Sequence, residues 1–206
     1  MAQGRSTDSM TLMRTHNMAN IGAVAVIVGG IMNQLLLMTT IAQLAAILTD
    51  RIIDRFGHAP SEKWSRIMKR TPTTHSIITA PVWAIATGLL ISWIAGILTQ
   101  SAAWFSSPTM PRLLLLPPTN LTTPIVTACV AAATIHLILD SLTEAGIYMP
   151  HMPNPRNSHL FIRWKLAGLR YDNPELNISV SLIGLLAYLG YLLYGNPHLA
   201  ILAAGK

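Results

Sequence analysis

Four long apolar stretches limit the folds that are open to this chain. They cover residues 21–49, 77–99, 124–142 and 178–204. A helix that crosses the hydrocarbon core of a bilayer needs about 20 predominantly apolar residues, which each stretch supplies. Within a bilayer the backbone must satisfy its own hydrogen bonds, and a helix does so within one segment. The sequence therefore predicts an all-α fold, a polytopic membrane bundle of about 4–5 transmembrane helices.

The composition agrees with an integral membrane protein. Only 11% of the 206 residues are charged, against about 25% in a typical soluble domain, and the mean hydropathy is +0.46. The length suits one domain over residues 1–206. We interpret the net charge of +6 as basic loops that face membrane lipid, and not as a nucleic-acid surface. The single cysteine, Cys129, excludes a disulfide within the chain and argues against a cysteine-rich zinc site.

The first apolar stretch is longer than one crossing requires and contains a break. Gly29 and Gly30 punctuate it, and the polar residues Asn33 and Gln34 suit a turn. We therefore predict a helix from about residue 10 to residue 28 and a second helix from about residue 31 to residue 56, joined as a tight hairpin. The distribution of Lys and Arg favours this arrangement, because it divides 12 against 2 between the membrane faces, compared with 10 against 4 for a single span.

The same charge asymmetry predicts which loops face the cytoplasm. Segments 50–76 and 143–177 become inner-face loops, and the protein is expected in the cell (cytoplasmic) membrane with these loops on its cytoplasmic side. Within the second loop, residues 160–165 form an amphipathic core that is expected at the membrane interface. The last apolar stretch, 178–204, is long enough either to cross once or to turn back.

An ionisable pair lies inside the third apolar stretch. His136 and Asp140 enclose the apolar residues Leu-Ile-Leu, and at i, i+4 spacing both side chains lie on the same face of a helix. An imidazole and a carboxylate in a membrane helix are costly, so they mark a functional site by default. A metal ion or a shared proton would offset the desolvation cost, and a buried structural pair is the alternative interpretation.

Further metal-ligating residue types gather at the same predicted membrane face. His16 opens the first helix, Asp50 and Asp54 repeat the i, i+4 spacing, and His75 lies where a polar loop meets the next helix. Neutral imidazole and carboxylate are the usual ligands of zinc and similar divalent ions. For the two aspartates, a solvated helix end that is salt-bridged to the neighbouring arginines is the alternative. The pattern as a whole favours a metal site.

The order of these elements resembles the YdjM-like family of predicted membrane-bound metal-dependent hydrolases, in particular its archaeal branch. The resemblance rests on Thr15-His16, on Asp50 and Asp54, on Arg70-Thr-Pro-Thr-Thr-His75-Ser76, and on His136-Leu-Ile-Leu-Asp140-Ser-Leu-Thr-Glu-Ala-Gly146. It implies a small multi-helix membrane protein with a zinc-type site, whose metal ligands would be His16, Asp50, Asp54, His75, His136 and Asp140. The family commonly has two acidic residues separated by one position after a proline. Here Asp50 and Asp54 are four apart, so which of them ligates stays open.

The resemblance and the residue types together predict a membrane-embedded metal-dependent hydrolase. The expected cofactor is a divalent metal ion, with Zn²⁺ as the first candidate. The expected substrate is a phosphoester or lipid-like molecule at the cytoplasmic face. Asp50 and Asp54 are the candidate catalytic carboxylates, as further ligand or general base. Basic residues are candidates to hold an anionic head group, namely Arg66, Lys69, Arg70, Arg156 and Arg163. Two alternatives stay open: a metal-ion or proton transporter, and a non-enzymatic membrane adaptor with a structural metal.

Overall fold

The computed structural model of the protein describes residues 5–34, 36–57, 70–105, 121–150, 161–170 and 173–195. The α-helices among them are α1 (Arg5–Val24), α2 (Leu36–Gly57), α3 (Thr79–Phe105), α4 (Thr122–Leu142) and α5 (Pro174–Gly190). α1 continues as a π-helix over Ala25–Ile31, and α5 continues as another over Tyr191–Gly195. A two-stranded antiparallel sheet, β1 (Ile147–Pro150) and β2 (Phe161–Trp164), lies between α4 and α5 in the chain.

In the described part of the chain, four helical segments are long and apolar enough to cross a membrane. They are Leu36–Gly57, Thr79–Leu98, Thr122–Leu142 and Pro174–Gly195. This confirms the predicted all-α membrane bundle. The last of these segments is long enough for one crossing, and residues 196–204 of the same apolar stretch lie outside the described residues. The kind of membrane and the side that each loop faces stay predictions.

The chain turns between α1 and α2 at residues 32–34. Helical structure continues through Gly29 and Gly30 to Ile31, so the predicted helix end at residue 28 is wrong. The turn residue Asn33 has a positive φ of 51°, a conformation that asparagine adopts more readily than most residues. α1 and α2 are antiparallel, because Gln43 donates a hydrogen bond to the carbonyl oxygen of Ile21 (3.0 Å) and His16 contacts Asp50. Whether both of these helices cross the membrane stays a prediction.

α2 and α4 form the inside of the bundle. Of the α4 span 56% is buried within the protein and of the α2 span 50%, against 22% for the α3 span and 17% for the α5 span. Ala42 and Ala46 of α2 pack with Ala128 and Ala132 of α4 and with Val24 of α1. Small side chains let membrane helices approach closely. This close approach brings the longer side chains at the helix ends within contact distance of one another.

The small sheet lies beside the loop that precedes α3. The backbone N–H of Tyr148 in β1 donates to the carbonyl oxygen of His75 (2.8 Å), and the N–H of Ile77 donates to the carbonyl oxygen of Tyr148 (3.2 Å). β2 lies in the segment predicted to be amphipathic, and its Ile162 and Trp164 are exposed. The sequence did not predict this sheet, because its strands are short and pair across more than ten residues. The sheet fixes the position of the His75 loop.

Gly184 permits close contact between α5 and α1. A Cβ atom at Gly184 would overlap the carbonyl oxygen of Met18. We therefore expect Gly184→Ala to push the two helices apart and to lower the free energy of unfolding by about 1–3 kcal/mol, the usual cost of overpacking. Thermal unfolding in detergent measures this loss. Gly190→Ala is the matched control on the same helix, because a Cβ there meets nothing within 4 Å; equal losses in the two variants would contradict the expectation.

Candidate metal centre

The structure brings together all the residues that the sequence suggested as metal ligands. They come from α1, α2, the loop before α3, and α4, and they are His16, Asp50, Asp54, His75, His136 and Asp140. His136 lies at the centre of this cluster, because its two ring nitrogens face different neighbours. That a metal ion binds the cluster stays a prediction at this point.

The first set of donor atoms surrounds Nε2 of His136, and we call His75, His136, Asp54 and Asp140 the Nε2 group. Nε2 of His136 lies 3.2 Å from Nε2 of His75, 3.7 Å from Oδ1 of Asp54 and 3.2 Å from Oδ2 of Asp140. Nε2 of His75 lies 3.8 Å from the same Asp54 oxygen and 3.4 Å from the same Asp140 oxygen. Two imidazole nitrogens and two carboxylates therefore face a common point.

The second set of donor atoms surrounds Nδ1 of His136, and we call His16, Asp50 and His136 the Nδ1 group. Nδ1 of His136 lies 2.8 Å from Oδ1 of Asp50 and 3.0 Å from Nδ1 of His16. Nδ1 of His16 lies 3.4 Å from the same Asp50 oxygen. The two groups thus share His136, and each of its ring nitrogens belongs to one of them.

The donor atoms of both groups have the chemistry of ligands to a divalent ion, and those of the Nε2 group also have the spacing. Donors that each lie about 2.1 Å from a tetrahedral zinc ion are separated from one another by about 3.4 Å. The donor separations are 3.2–3.8 Å in the Nε2 group. They are 2.8–3.4 Å in the Nδ1 group. Imidazole nitrogen and carboxylate oxygen are common zinc ligands, so the residues fit the expected metal.

Thr74 fixes the orientation of the His75 ring. The Thr74 hydroxyl donates to the carbonyl oxygen of Ile53 (2.7 Å), so it accepts a hydrogen bond from Nδ1–H of His75 (3.0 Å). The ring proton therefore lies on Nδ1, and the lone pair of Nε2 faces the Nε2 group. Burial lowers the pKa of His75 below its usual value and outweighs the opposing hydrogen bond with Asp54. The ring is neutral at pH 7, which is the form that binds metals.

Arg70 holds the Asp140 carboxylate. Its Nη2 lies 2.6 Å from Oδ1 of Asp140, and its Nη1 donates to the Thr143 hydroxyl (3.0 Å) and to the carbonyl oxygen of Gly146 (3.3 Å). Arg70 is only 7% exposed. An arginine that is buried and paired in this way cannot hold an anionic head group, so that expectation is wrong for Arg70. Among the other basic candidates Arg163 is exposed, and Arg66, Lys69 and Arg156 lie outside the described residues.

Asp54 forms the accessible edge of the cluster. The side chains of His16, Asp50, His75, His136 and Asp140 are buried, whereas that of Asp54 is 32% exposed. Among the described residues, Asp54 therefore marks the side from which water or a small polar group would approach the buried donors. The same exposure separates Asp54 from Asp50, which the sequence could not distinguish as ligands.

Three residues beside the cluster were not among the predicted ligands, although Thr74 belongs to the Thr74-His75-Ser76 element that contributes to the family resemblance. Thr74 orients His75 as described above, and Gly57 ends α2 where a Cβ atom would overlap Thr74 and the His75 ring. Asn20 is 1% exposed and lies one helical turn after His16. For Thr74 and Asn20 the available signal was a polar residue next to, or one turn from, a predicted ligand. Gly57 carried no such signal.

The family described as Protein of unknown function (DUF1286) matches residues 10–139, more than half of the chain. The chain belongs to this family. The DUF1286 match includes five of the six clustered residues and ends one residue before Asp140. No curated protein and no solved structure matches the chain. For this DUF1286 protein, the geometry of the cluster is therefore the main indication of function.

Proposed function

We propose that the protein is a membrane-embedded, metal-dependent hydrolase that acts on a phosphoester or lipid-like substrate. One observation carries this proposal: imidazole and carboxylate donors from four segments of the chain lie within ligand spacing of one another, with one exposed edge. Structural zinc sites enclose the ion with protein ligands, whereas catalytic sites keep one position open. The exposure of Asp54 favours the catalytic kind over an adaptor with a structural metal.

Each residue of the Nε2 group has a role in this proposal. His75, His136 and Asp140 would hold the ion, and Asp54 lies at the edge that substrate reaches. An ion held there would polarise a phosphoryl or carbonyl oxygen and lower the pKa of water, which is the chemistry that divalent ions supply to hydrolases. The Asp54 carboxylate is suited to accept a proton from the attacking water. Arg70 and Thr74 keep Asp140 and His75 in position.

The choice of zinc and of the cytoplasmic face has separate support. Two imidazoles with carboxylates form a donor set that suits zinc better than magnesium or calcium, which prefer oxygen ligands alone. The resemblance to the YdjM-like hydrolases points to the same metal. The cytoplasmic side follows from the division of Lys and Arg, 12 against 2, which places the loop with His75 on the basic face.

The placement of charged residues favours hydrolysis over transport. A path for protons or ions needs ionisable groups at several depths of the membrane. The span Thr79–Leu98 contains no Asp, Glu, Lys, Arg or His. In α2 and α4 such residues occur only from Asp50 and from His136 onward, within the last turns of each helix. The ionisable groups of these helices therefore lie at one level, as in a site and not as in a path.

Removal of the metal is expected to abolish hydrolysis, and added Zn²⁺ is expected to restore it. The full-length protein in detergent micelles is treated with a chelator, and nitrophenol release is followed from a chromogenic phosphodiester, a phosphomonoester and a carboxylic ester. The physical reason is that no side chain of the cluster replaces the ion in polarising the substrate. Purified protein that contains no transition metal and takes up none would contradict the proposal.

The substitution Asp54→Asn tests whether Asp54 acts as the general base and not as a required metal ligand. We expect kcat to fall by about 100-fold or more, because a positioned general base contributes about 10²–10⁴-fold, while bound zinc is retained by the other donors. Glu144→Gln is the control, since Glu144 is an exposed carboxylate outside the cluster. Equal kcat values for the two variants would remove Asp54 from the reaction.

A further inference from the structure

His136 presents its second ring nitrogen to a second set of donors. While Nε2 belongs to the Nε2 group, Nδ1 lies 2.8 Å from Oδ1 of Asp50 and 3.0 Å from Nδ1 of His16. We infer that a second divalent metal ion binds the Nδ1 group and that the His136 ring bridges the two ions. This inference rests on the proposed function, because the first ion is the one proposed for the Nε2 group.

Hydrogen bonds from His136 and from His16 to the same oxygen of Asp50 are the simpler account, and they explain two of the three distances. They leave the third distance unexplained, because two ring nitrogens that both donate to Asp50 would each carry a proton while lying only 3.0 Å apart. A cation attracts the lone pairs of all three atoms at once. The triangle that they form has sides of 2.8, 3.0 and 3.4 Å, so its two shorter sides would widen by about 0.5 Å to reach the ligand spacing of about 3.4 Å around one ion.

Buried polar atoms beside the Nδ1 group lack hydrogen-bond partners among the described residues. They are Nε2 of His16, Oδ2 of Asp50 and both amide atoms of Asn20. Asn20 follows His16 by one turn, and helical side chains lean toward the N-terminus, so the Asn20 amide is directed toward the His16 level. Unpaired buried polar groups are costly. Water ligands of an ion in the Nδ1 group would supply hydrogen-bond partners to Oδ2 of Asp50 and to the Asn20 amide, whereas hydrogen bonds within the group do not.

Coordination through both ring nitrogens changes the protonation of His136. A neutral imidazole carries one N–H, so the ring gives up that proton to solvent when the second ion binds, and the bridging form is the imidazolate. The donors of the second site are then two ring nitrogens and one carboxylate oxygen. This donor set suits zinc and similar transition-metal ions.

The test counts zinc ions bound to the full-length protein. Chelator-treated protein in detergent micelles is dialysed against Zn²⁺, and the zinc bound per chain is measured by mass spectrometry. We expect two zinc ions in the wild type and one in His16→Ala, because His16 belongs only to the Nδ1 group. Thr134→Ala is the control and should retain two, since Thr134 is exposed on α4 and its hydroxyl bonds to the backbone of Val130.

The outcomes separate this inference from the proposed function. One zinc ion in the wild type, unchanged in His16→Ala, would overturn the second site and leave the hydrolase proposal standing. No zinc in the wild type would overturn both. Loss of both ions from a folded His16→Ala protein would overturn the assignment of His16 to the second site alone.

Copper substitution tests the bridge without relying on any variant. Two Cu²⁺ ions joined by one imidazolate couple magnetically, so the low-temperature EPR intensity per copper ion should fall in the wild type. Full EPR intensity from wild-type protein loaded with two copper ions would overturn the bridge. If His16→Ala fails to fold, this measurement decides the question by itself.

Discussion

Replacing His136 with alanine is expected to remove zinc from the protein and to lower kcat by more than about 100-fold. His136 contributes a ring nitrogen to both donor groups, so its loss removes a ligand from each. Loss of an outer partner of a metal ligand already costs about 10–100-fold, and loss of the ligand itself is expected to cost more. Zinc content and the rate of phosphodiester hydrolysis, both measured on detergent-solubilised protein, check this expectation.

His136→Gln separates metal binding from folding. Glutamine keeps a hydrogen-bonding group near Asp50 and Asp140, but it does not offer zinc a ring nitrogen, so helix content should be retained while zinc is lost. Thr134→Ala, on the exposed face of the same helix, should leave both properties unchanged. Zinc content at the wild-type level in both His136 variants would contradict the role of His136 as a ligand.

The sequence was sufficient to predict the helical bundle and the residues that form the cluster. Long apolar runs require helices in a bilayer, and an imidazole with a carboxylate inside such a run has a cost that sequence alone reveals, as for His136 and Asp140. The i, i+4 spacing of Asp50 and Asp54 placed both on one helix face. Charge asymmetry then suggested that these residues share a membrane face with His75. Each of these arguments depends on local pattern or on composition.

The sequence was not sufficient to predict the contacts between segments that are distant in the chain. Arg70 and Asp140 are far apart in the chain, and nothing local indicates that this arginine is buried while its neighbours in the same basic loop are candidates for solvent or lipid. The role of Thr74 depends on the carbonyl oxygen of Ile53 at the end of α2, a backbone atom without a sequence signal. Such contacts arise from tertiary packing, which hydrophobic periodicity does not encode.

The close packing of small residues explains why the cluster forms at a helix end. Ala42, Ala46, Ala128 and Ala132 keep the α2 and α4 backbones near each other below the cluster. Asp50 follows Ala46 by one helical turn, and His136 follows Ala132 by one turn. At this level the longer side chains meet, and Nδ1 of His136 lies 2.8 Å from Oδ1 of Asp50. The alanine contacts therefore set the distance between the two helices, and at that distance the donor atoms of Asp50 and His136 lie close together.

Substitution of Arg70 by methionine is expected to have the second large effect. Arg70 is buried, pairs with Asp140 at 2.6 Å, and bonds to Thr143 and Gly146. Removing one partner of a buried ion pair leaves an uncompensated charge and costs about 3–5 kcal/mol of unfolding free energy. Because Asp140 loses its outer partner, we also expect zinc affinity to fall by about 10–100-fold. Thermal unfolding in detergent and zinc titration measure the two effects.

Controls and added zinc distinguish the two roles of Arg70. Arg55→Met, an exposed arginine at the end of α2, should leave stability nearly unchanged, and equal losses in both variants would contradict the buried pair. Arg70→Lys should be intermediate, because lysine keeps the charge but lacks the planar fork that joins three acceptors. At a given concentration, zinc stabilises the folded state more strongly the more tightly it binds, so the difference in unfolding temperature between wild type and Arg70→Met should widen when zinc is added. A difference that stays constant would mean that Arg70 supports the fold without positioning Asp140 for the metal.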